Sequence, residues 1–435
     1  MEQLSALQQT RSRAVSPLDV TIVMPCLNEV QSLPHCIANA RAALAEIEEA
    51  FGLAGEIVIA DNGSTDGSQS VASALGARVV PVAARGYGAA LIGGCSNAFG
   101  SYVLMGDADG SYDFTEGVAM IARLIDGADL CMGSRFAGGI APGAMPWKNR
   151  YIGNPALTGI LNLFFRAGID DAHCGLRAIS KNAFDALGLS GSGMEFASEM
   201  VIKAALKRMR IDQVPATLSP DLRQRTPHLR PWRDGWRHLR YLLMLSPTWV
   251  FGVPALAAIF CSVFLLGVAG LFALGILRGE SPFGTSWTII GGYLFTVGHF
   301  AALMTMATHF HGVRKGYRHL HPWLARGAGM LTLEKALIGG SVLMFASFAA
   351  FIVIGLRWSA HGFVALPSIL PLTLAAVAGV VGVQSALGGF MLAIIADHNN
   401  RLAPQSNALP FGYREGAARE PEVAVVQTLP LSRAG

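Results

Sequence analysis

The chain has 435 residues, 52% of them hydrophobic and 14% charged, with a formal net charge of +4. That length exceeds one ordinary domain, and so small a charge gives no reason to expect a nucleic-acid partner. Cys26, Cys36, Cys95, Cys131, Cys174 and Cys261 are scattered with no CxxC pair, which argues against a disulfide framework and a zinc site.

Residues 1–18 are polar, lack the apolar core of a signal peptide and are expected to be disordered. From Asp19 onward, short β-rich runs alternate with helical patterns. Strands are predicted at 20–24, 56–60, 78–82, 102–105 and 130–132, and helices at 33–51, 67–75, 88–99 and 115–125. This rhythm specifies an α/β domain over 19–222, a mostly parallel sheet covered by helices. Ligands of such sheets bind beyond the carboxyl ends of the strands. The polar clusters 25–29, 61–66 and 107–113 each follow a predicted strand and should share one sheet edge.

The composition shifts near Ser246. Apolar stretches long enough to cross a bilayer are predicted at 248–277, 287–310, 336–356 and 370–396, a transmembrane domain of about four helices over 248–397. Before them, the 223–247 segment begins RQRTPHLRPWRDGWRHLRYLLML. Trp232, Trp236, Leu239 and Leu243 fall at roughly helical spacing between Arg and His residues, which predicts amphipathic helix lying in the headgroup layer. The connection 311–335 carries Arg314, Lys315, Arg318, Arg326 and Lys335, whereas the other two hold one Arg each. The positive-inside rule then places that connection, both termini and the α/β domain in the cytoplasm. Residues 398–435 read as a flexible cytoplasmic tail, and the whole as a multi-pass protein of the cell inner membrane.

The chemistry concentrates in VLMGDADGSYDF, residues 103–114, where an apolar run ends in Asp107 and Asp109. Two ionised carboxylates so close raise each other's pKa unless a cation intervenes. Mg²⁺ or Mn²⁺ suits them, since hard cations take oxygen ligands and share them with substrate phosphates. Ser111 or Asp113 is a candidate further ligand, directly or through water. A metal–diphosphate site joined to membrane helices points to chemistry on a lipid carrier.

TIVMPCLNE, ADNGSTDGS, GDADGSYDF, GSRF and DAHCGLRA occur in this order. Together they resemble the family 2 glycosyltransferases of GT-A fold, in the branch of dolichyl- and polyprenyl-phosphate hexosyltransferases, over roughly residues 19–245. The resemblance implies inverting hexosyl transfer from a nucleotide-sugar, UDP-glucose or GDP-mannose, to polyprenyl (dolichyl or undecaprenyl) phosphate. It implies nucleotide-sugar contacts at Pro25, Leu27, Asn28 and Glu29, at Asp61 and Gly86, and at Asp107 and Ala108. It makes Arg135 and Arg177 catalytic, gripping phosphate oxygens. On the acceptor side, the residues themselves offer Glu195, on a helix face, and Arg225, in the basic segment. The chain departs from the familiar DADLQ pattern, because Gly110 and Ser111 replace Leu-Gln.

Plainer readings stand beside these. Asn28 fits a helix-start cap, and Ser64 or Asp66 a cap of the next helix. The stretch 85–90 lacks the third spaced glycine of a dinucleotide fingerprint. Arg135 and Arg177 suit surface ion pairs, and Asp171 is placed to orient Arg177. Glu195 and Glu199, at i and i+4, share one helix face that lines the acceptor side or is simply amphipathic. The basic segment, Arg223 to Arg233, binds either one lipid phosphate or anionic headgroups in general. Competing functions are transfer to another lipid or to a polysaccharide, for which the QxxRW motif of processive synthases is absent, and a non-catalytic scaffold that binds nucleotide-sugar. Few ionisable residues lie in the spans, which favours anchoring over lipid flipping. The sequence leaves the number of copies open, homo-oligomers included.

Overall fold

The computed structural model describes residues 18–223, 231–279, 282–320, 332–364, 368–396 and 402. Its strands are β1 (Val20–Cys26), β2 (Gly55–Asp61), β3 (Arg78–Pro81), β4 (Tyr102–Met105), β5 (Leu130–Ser134), β6 (Gly139–Ile140), β7 (Arg177–Ser180) and β8 (Ile211–Leu218). They form one sheet in the order β3-β2-β1-β4-β7-β5-β8-β6. Every pairing is parallel except those of β7, which runs antiparallel between β4 and β5.

Helices close both faces, as the unbroken apolar character of the central strands demands. Alternate residues of β1 separate the two cores. Ile22 and Met24 pack toward α1 (Leu33–Phe51), whereas Val23 packs with residues of a second core on the other face. The remaining helices of this domain are α2 (Ser68–Ala74), α3 (Tyr87–Ser96), α4 (Gly117–Ile125), α5 (Arg135–Gly138), α6 (Asn154–Phe165), α7 (Lys181–Leu187) and α8 (Phe196–Leu206). β6, β7 and β8 escaped the sequence reading. β7 is only four residues long, and β8 carries Pro215 in its interior.

The register brings the functional loops together. Cys26 pairs with Asp61, and Val23 with Met105, so the loops after β1, β2 and β4 leave one edge. Because β7 is antiparallel, its first residue, Arg177, lies beside Met105 and Met132, and the DAHCG loop before it joins the same edge. β8 runs parallel to β5 and delivers residues 219–223 there as well.

α9 (Pro231–Met244) follows. It turns His238 and Leu242 inward and leaves Trp236 and Met244 exposed, the two faces of an amphipathic helix. Four helices long and apolar enough to cross a membrane come next. They comprise α10 (Val253–Ala273), preceded by a wide turn from Thr248, then α11 (Thr285–Arg314), α12 (Leu333–Ala360) and α13 (Leu370–Ile395). Their large apolar side chains point outward, Phe345 being 74% exposed, as expected of a surface that meets lipid. Small residues and hydroxyls hold the bundle. The Ser262 hydroxyl donates to Gly291 O (2.6 Å), Ser347 to Ala375 O (2.7 Å), and His299 pairs with Gln384 (2.8 Å).

The two parts are joined. Lys207 Nζ, just beyond α8, donates to Gly316 O (2.5 Å), and Arg318 donates to Leu245 O (2.6 Å). Phe164 stacks on Trp249 with ring centroids 5.2 Å apart. Residues 315–320, just after α11, therefore lie on the same side of the bundle as the α/β domain.

Candidate active site

The loop after β4 carries the acidic pair. Asp109 Oδ1 accepts from Ser111 N (3.0 Å) and the Ser111 hydroxyl (2.6 Å), while Oδ2 pairs with the Arg223 guanidinium. Burial, and next the Asp109 carboxylate, push Asp107 up to about 6; the Tyr87 hydroxyl bonded to Asp107 pulls the other way. Gly175 passes so near Asp107 that a Cβ there would collide with its carboxylate. Two neighbouring carboxylates, one of them raised by burial and by the other's charge, fit Mg²⁺ or Mn²⁺ shared with substrate phosphates. No group of three or more His, Cys, Asp or Glu side chains forms an all-protein cage among the described residues. Ser111 faces Asp109 as a donor. Asp113, weighed as a ligand, instead caps the turn Phe114–Glu116, accepting from Thr115 N (2.9 Å) and Asn39 Nδ2 (2.8 Å).

The loop after β1 borders the same space. Asn28 adopts φ +60°, a left-handed conformation that Asn tolerates better than most residues. Its side chain accepts from Thr65 N (2.8 Å) in the neighbouring loop, so it is not the cap of α1, which begins only at Leu33. Glu29 is 8% exposed, with Oε2 3.7 Å from Arg223 Nε. Ser32 ties this loop to the acidic one by donating to Ala108 O (2.6 Å). Pro25 ends the buried run of β1, and Leu27 is exposed beside it. Asn28, Glu29, Ser32, Thr65, Asp66 and Arg223 help line a cavity of about 560 Å³.

Asp61 is only 2% exposed, and its carboxylate braces its own loop, accepting from Gly63 N (3.0 Å), Ser64 N (3.2 Å) and Gln69 Nε2 (2.6 Å). The N-cap of α2 is Gly67, with no side-chain cap bond, so neither Ser64 nor Asp66 fills that position; Asp66, one residue earlier, accepts from Ser68 N (3.0 Å) and from Val30 N (3.0 Å) across the loop. Asn62, passed over in the sequence, binds Gly86 N (2.8 Å) and Ala84 O (2.7 Å) and so hangs the loop before α3. At Gly86 and Gly88 a Cβ would strike the backbone of 191–193, which makes glycine obligatory where the two loops touch.

The arginines are not surface residues. Arg135 is 7% exposed and forms a bidentate pair with Asp171 (2.7 and 2.8 Å). Arg177 is 2% exposed and donates to Cys174 O and Ala197 O (3.2 Å). Asp171 thus orients Arg135, not Arg177. Glu199 is fully buried, holding Lys203 (2.7 Å) and Gly191 N (2.6 Å), which settles it as a structural hub. Glu195 Oε1 accepts from Gly193 N (3.0 Å), and its buried Oε2 has no hydrogen-bond partner. Arg225 lies outside the described residues.

Behind this wall, Ser198 bridges two histidines, His173 (3.3 Å) and His238 of α9 (2.8 Å). Burial, then His238, Arg135 and Arg177, hold His173 well below 6.5. The DAHCG loop is thereby linked to the amphipathic helix, a contact no local pattern announces.

Comparison with known proteins now bears on the same residues. Residues 21–188 match the glycosyl transferase family 2 domain, and 306–396 the family 2 C-terminal transmembrane region. The low-salt glycan biosynthesis hexosyltransferase Agl6 of Haloferax volcanii is 35% identical, over 87% of this chain and 89% of its own. The chain belongs to glycosyltransferase family 2. Glycosyltransferase AglJ of the same organism is 31% identical over 51% of this chain and 69% of its own. Glucosyl-3-phosphoglycerate synthase of Mycobacterium tuberculosis, solved with Mn²⁺, UDP and glucosyl-3-phosphoglycerate, is 21% identical, with a TM-score of 0.41 over 53% of this chain and 80% of that one. This family 2 glycosyltransferase therefore joins a GT-A-like domain with a mostly parallel sheet to a C-terminal membrane region.

Proposed function

We propose that the protein transfers a hexose, with inversion, from UDP-glucose or GDP-mannose to polyprenyl phosphate at the cytoplasmic face of the inner membrane. The observation that carries this reading is the placement of Asp107 and Asp109 on the same body as α9 and the four spans. A dolichyl-phosphate hexose transferase of Haloferax volcanii is 27% identical over 45% of the chain, and a polyprenol monophosphomannose synthase of Mycolicibacterium smegmatis 27% over 46%. Both names support a lipid-phosphate acceptor. The start of the basic connection after α11, where Gly316 meets Lys207, supports the cytoplasmic side.

Asp107 and Asp109 would hold Mg²⁺ or Mn²⁺, which supplies charge neutralisation of the departing nucleoside diphosphate. Glu29, Asn28 and Ala108 form the donor wall beside the cavity, with Pro25 and Leu27 at its margin. Asp61 and Gly86 shape the loops that border it. The acceptor's phosphate monoester, with a second pKa of about 6, is already ionised near neutrality and needs no general base. Arg135 and Arg177 act as positioning residues: they fix the DAHCG loop and spread positive potential where two anions must meet. Glu195, at the loop touching Gly86, and Arg225, in the basic segment, belong to the acceptor side.

The test incubates membranes containing the protein with labelled UDP-glucose or GDP-mannose, polyprenyl phosphate and Mg²⁺. Label should enter the solvent-extracted lipid and be released by mild acid, as a glycosyl phosphodiester would be. Label found only in polysaccharide, or in a lipid that resists mild acid and does not increase with added polyprenyl phosphate, would reject this acceptor.

A further inference from the structure

Arg223 is the unexpected member of the acidic edge. Its guanidinium pairs with Asp109 Oδ2, and its Nε lies 3.7 Å from Glu29 Oε2. The pairing is incomplete, because that Nε is buried without a hydrogen-bond partner. Arg135 offers the contrast, its Nε and Nη2 both engaged by Asp171. Backbone bonds anchor the segment independently of the side chain: Ser219 N donates to Ser111 O (2.9 Å) and Leu222 N to Asp109 O (2.9 Å). The side chain also lines the 560 Å³ cavity, so it has room to turn without moving its anchor.

We propose that Arg223 is a resident counter-ion of the donor site, which neutralises Asp109 and Glu29 until a divalent cation arrives and then gives up that position. This rests on the reading of Asp107 and Asp109 as metal ligands. The physical reason is competition for one oxygen. Asp109 Oδ1 is already engaged by Ser111, so a metal reaching Oδ2 meets the guanidinium there, and two cations so close repel. Without a cation, the carboxylates repel one another, and Arg223 relieves that repulsion. The arrangement holds the acidic loop in shape before the donor binds and sets a threshold that metal with diphosphate must overcome.

The test measures Mn²⁺ binding to the detergent-solubilised full chain, without nucleotide, from the loss of the free-ion EPR signal. Arg223→Gln should bind Mn²⁺ about tenfold more tightly than the wild type, because a competing charge is removed. Arg223→Lys should stay within about threefold of the wild type, since it keeps the charge. Thermal melting supplies the second readout: Arg223→Gln should melt lower than the wild type without metal, and saturating Mn²⁺ should close the gap. Equal or weaker Mn²⁺ binding by Arg223→Gln, or a melting gap that persists in Mn²⁺, would reduce Arg223 to a structural ion pair. Absence of any saturable site that Asp109→Asn removes would instead overturn the metal reading itself, and this inference with it.

Discussion

The sheet edge carries two charged clusters built on opposite plans. On one side Asp107, Asp109 and Glu29 crowd together with the single partly engaged guanidinium of Arg223. On the other, Arg135 is locked to Asp171 and Arg177 to main-chain carbonyls, all nearly inaccessible. The acidic cluster borders a cavity, whereas the basic one is held by buried protein partners. Under the proposed function, the partly paired charge beside open space serves the ligand and the paired buried charge serves as scaffold.

Substitutions on the two sides should therefore fail differently. Asp109→Asn should lower hexosyl transfer by about 10³-fold, the scale of losing a main electrostatic contact to the leaving group, while membrane insertion persists. Lipid-extractable label measures the loss, and normal turnover would remove the metal from the account. Asp171→Ala leaves Arg135 buried and unpaired, which should cost about 3–5 kcal/mol of stability in the α/β domain. Denaturant unfolding of the solubilised protein checks it, and an unchanged transition would mean that Arg135 finds another partner.

Acidification gives a smaller, signed effect. His173 is held neutral in the fold, with a pKa well below 6.5. Its stabilising contribution is complete above about 6.5 and is lost as pH falls, because the unfolded chain takes a proton that the folded one refuses. Asp107, raised to about 6, works in the opposite sense, favouring the fold more at low pH. Comparing His173→Gln with the wild type isolates the histidine. The substitution should flatten the loss of stability below pH 6.5 by at most about 1.4 kcal/mol per pH unit. Parallel melting curves from pH 7.5 to 5.5 would contradict a neutral His173. The smallest effect is expected at Asp66, which binds Ser68 N and Val30 N. Asp66→Ala should cost about 1 kcal/mol, the scale of a lost side-chain-to-backbone hydrogen bond, and a thermal shift assay reads it.

The acidic side was far more legible in the sequence than the basic side. Asp107 and Asp109 follow an apolar strand and sit in a distinctive string, so local pattern places them at the sheet edge. The four spans are equally plain, because length and hydropathy alone define them. Arg135 and Arg177 carry equally clear motifs, yet their partners depend on the antiparallel entry of β7. A four-residue strand gives no signal for that, and Asp171 was accordingly matched to the wrong arginine. The pair formed by Arg223 and Asp109 spans 114 residues, and the bridge from Ser198 to His238 joins the domain to the amphipathic α9. Such contacts come from tertiary packing, and no periodicity announces them. Asp61 stands at a strand end as its pattern predicts, while the bonds its carboxylate makes to its own loop depend on the turn's geometry and leave no mark in the sequence.

The central claim is that the acidic pair receives a cation together with a sugar nucleotide. A structure of the full chain with Mn²⁺ and its donor tests it most directly. The account predicts density for one metal touching Asp107 or Asp109 and both donor phosphates, with the Arg223 guanidinium withdrawn from Asp109. A nucleotide bound elsewhere, with both aspartates in bulk water and Arg223 still seated on Asp109, would contradict it.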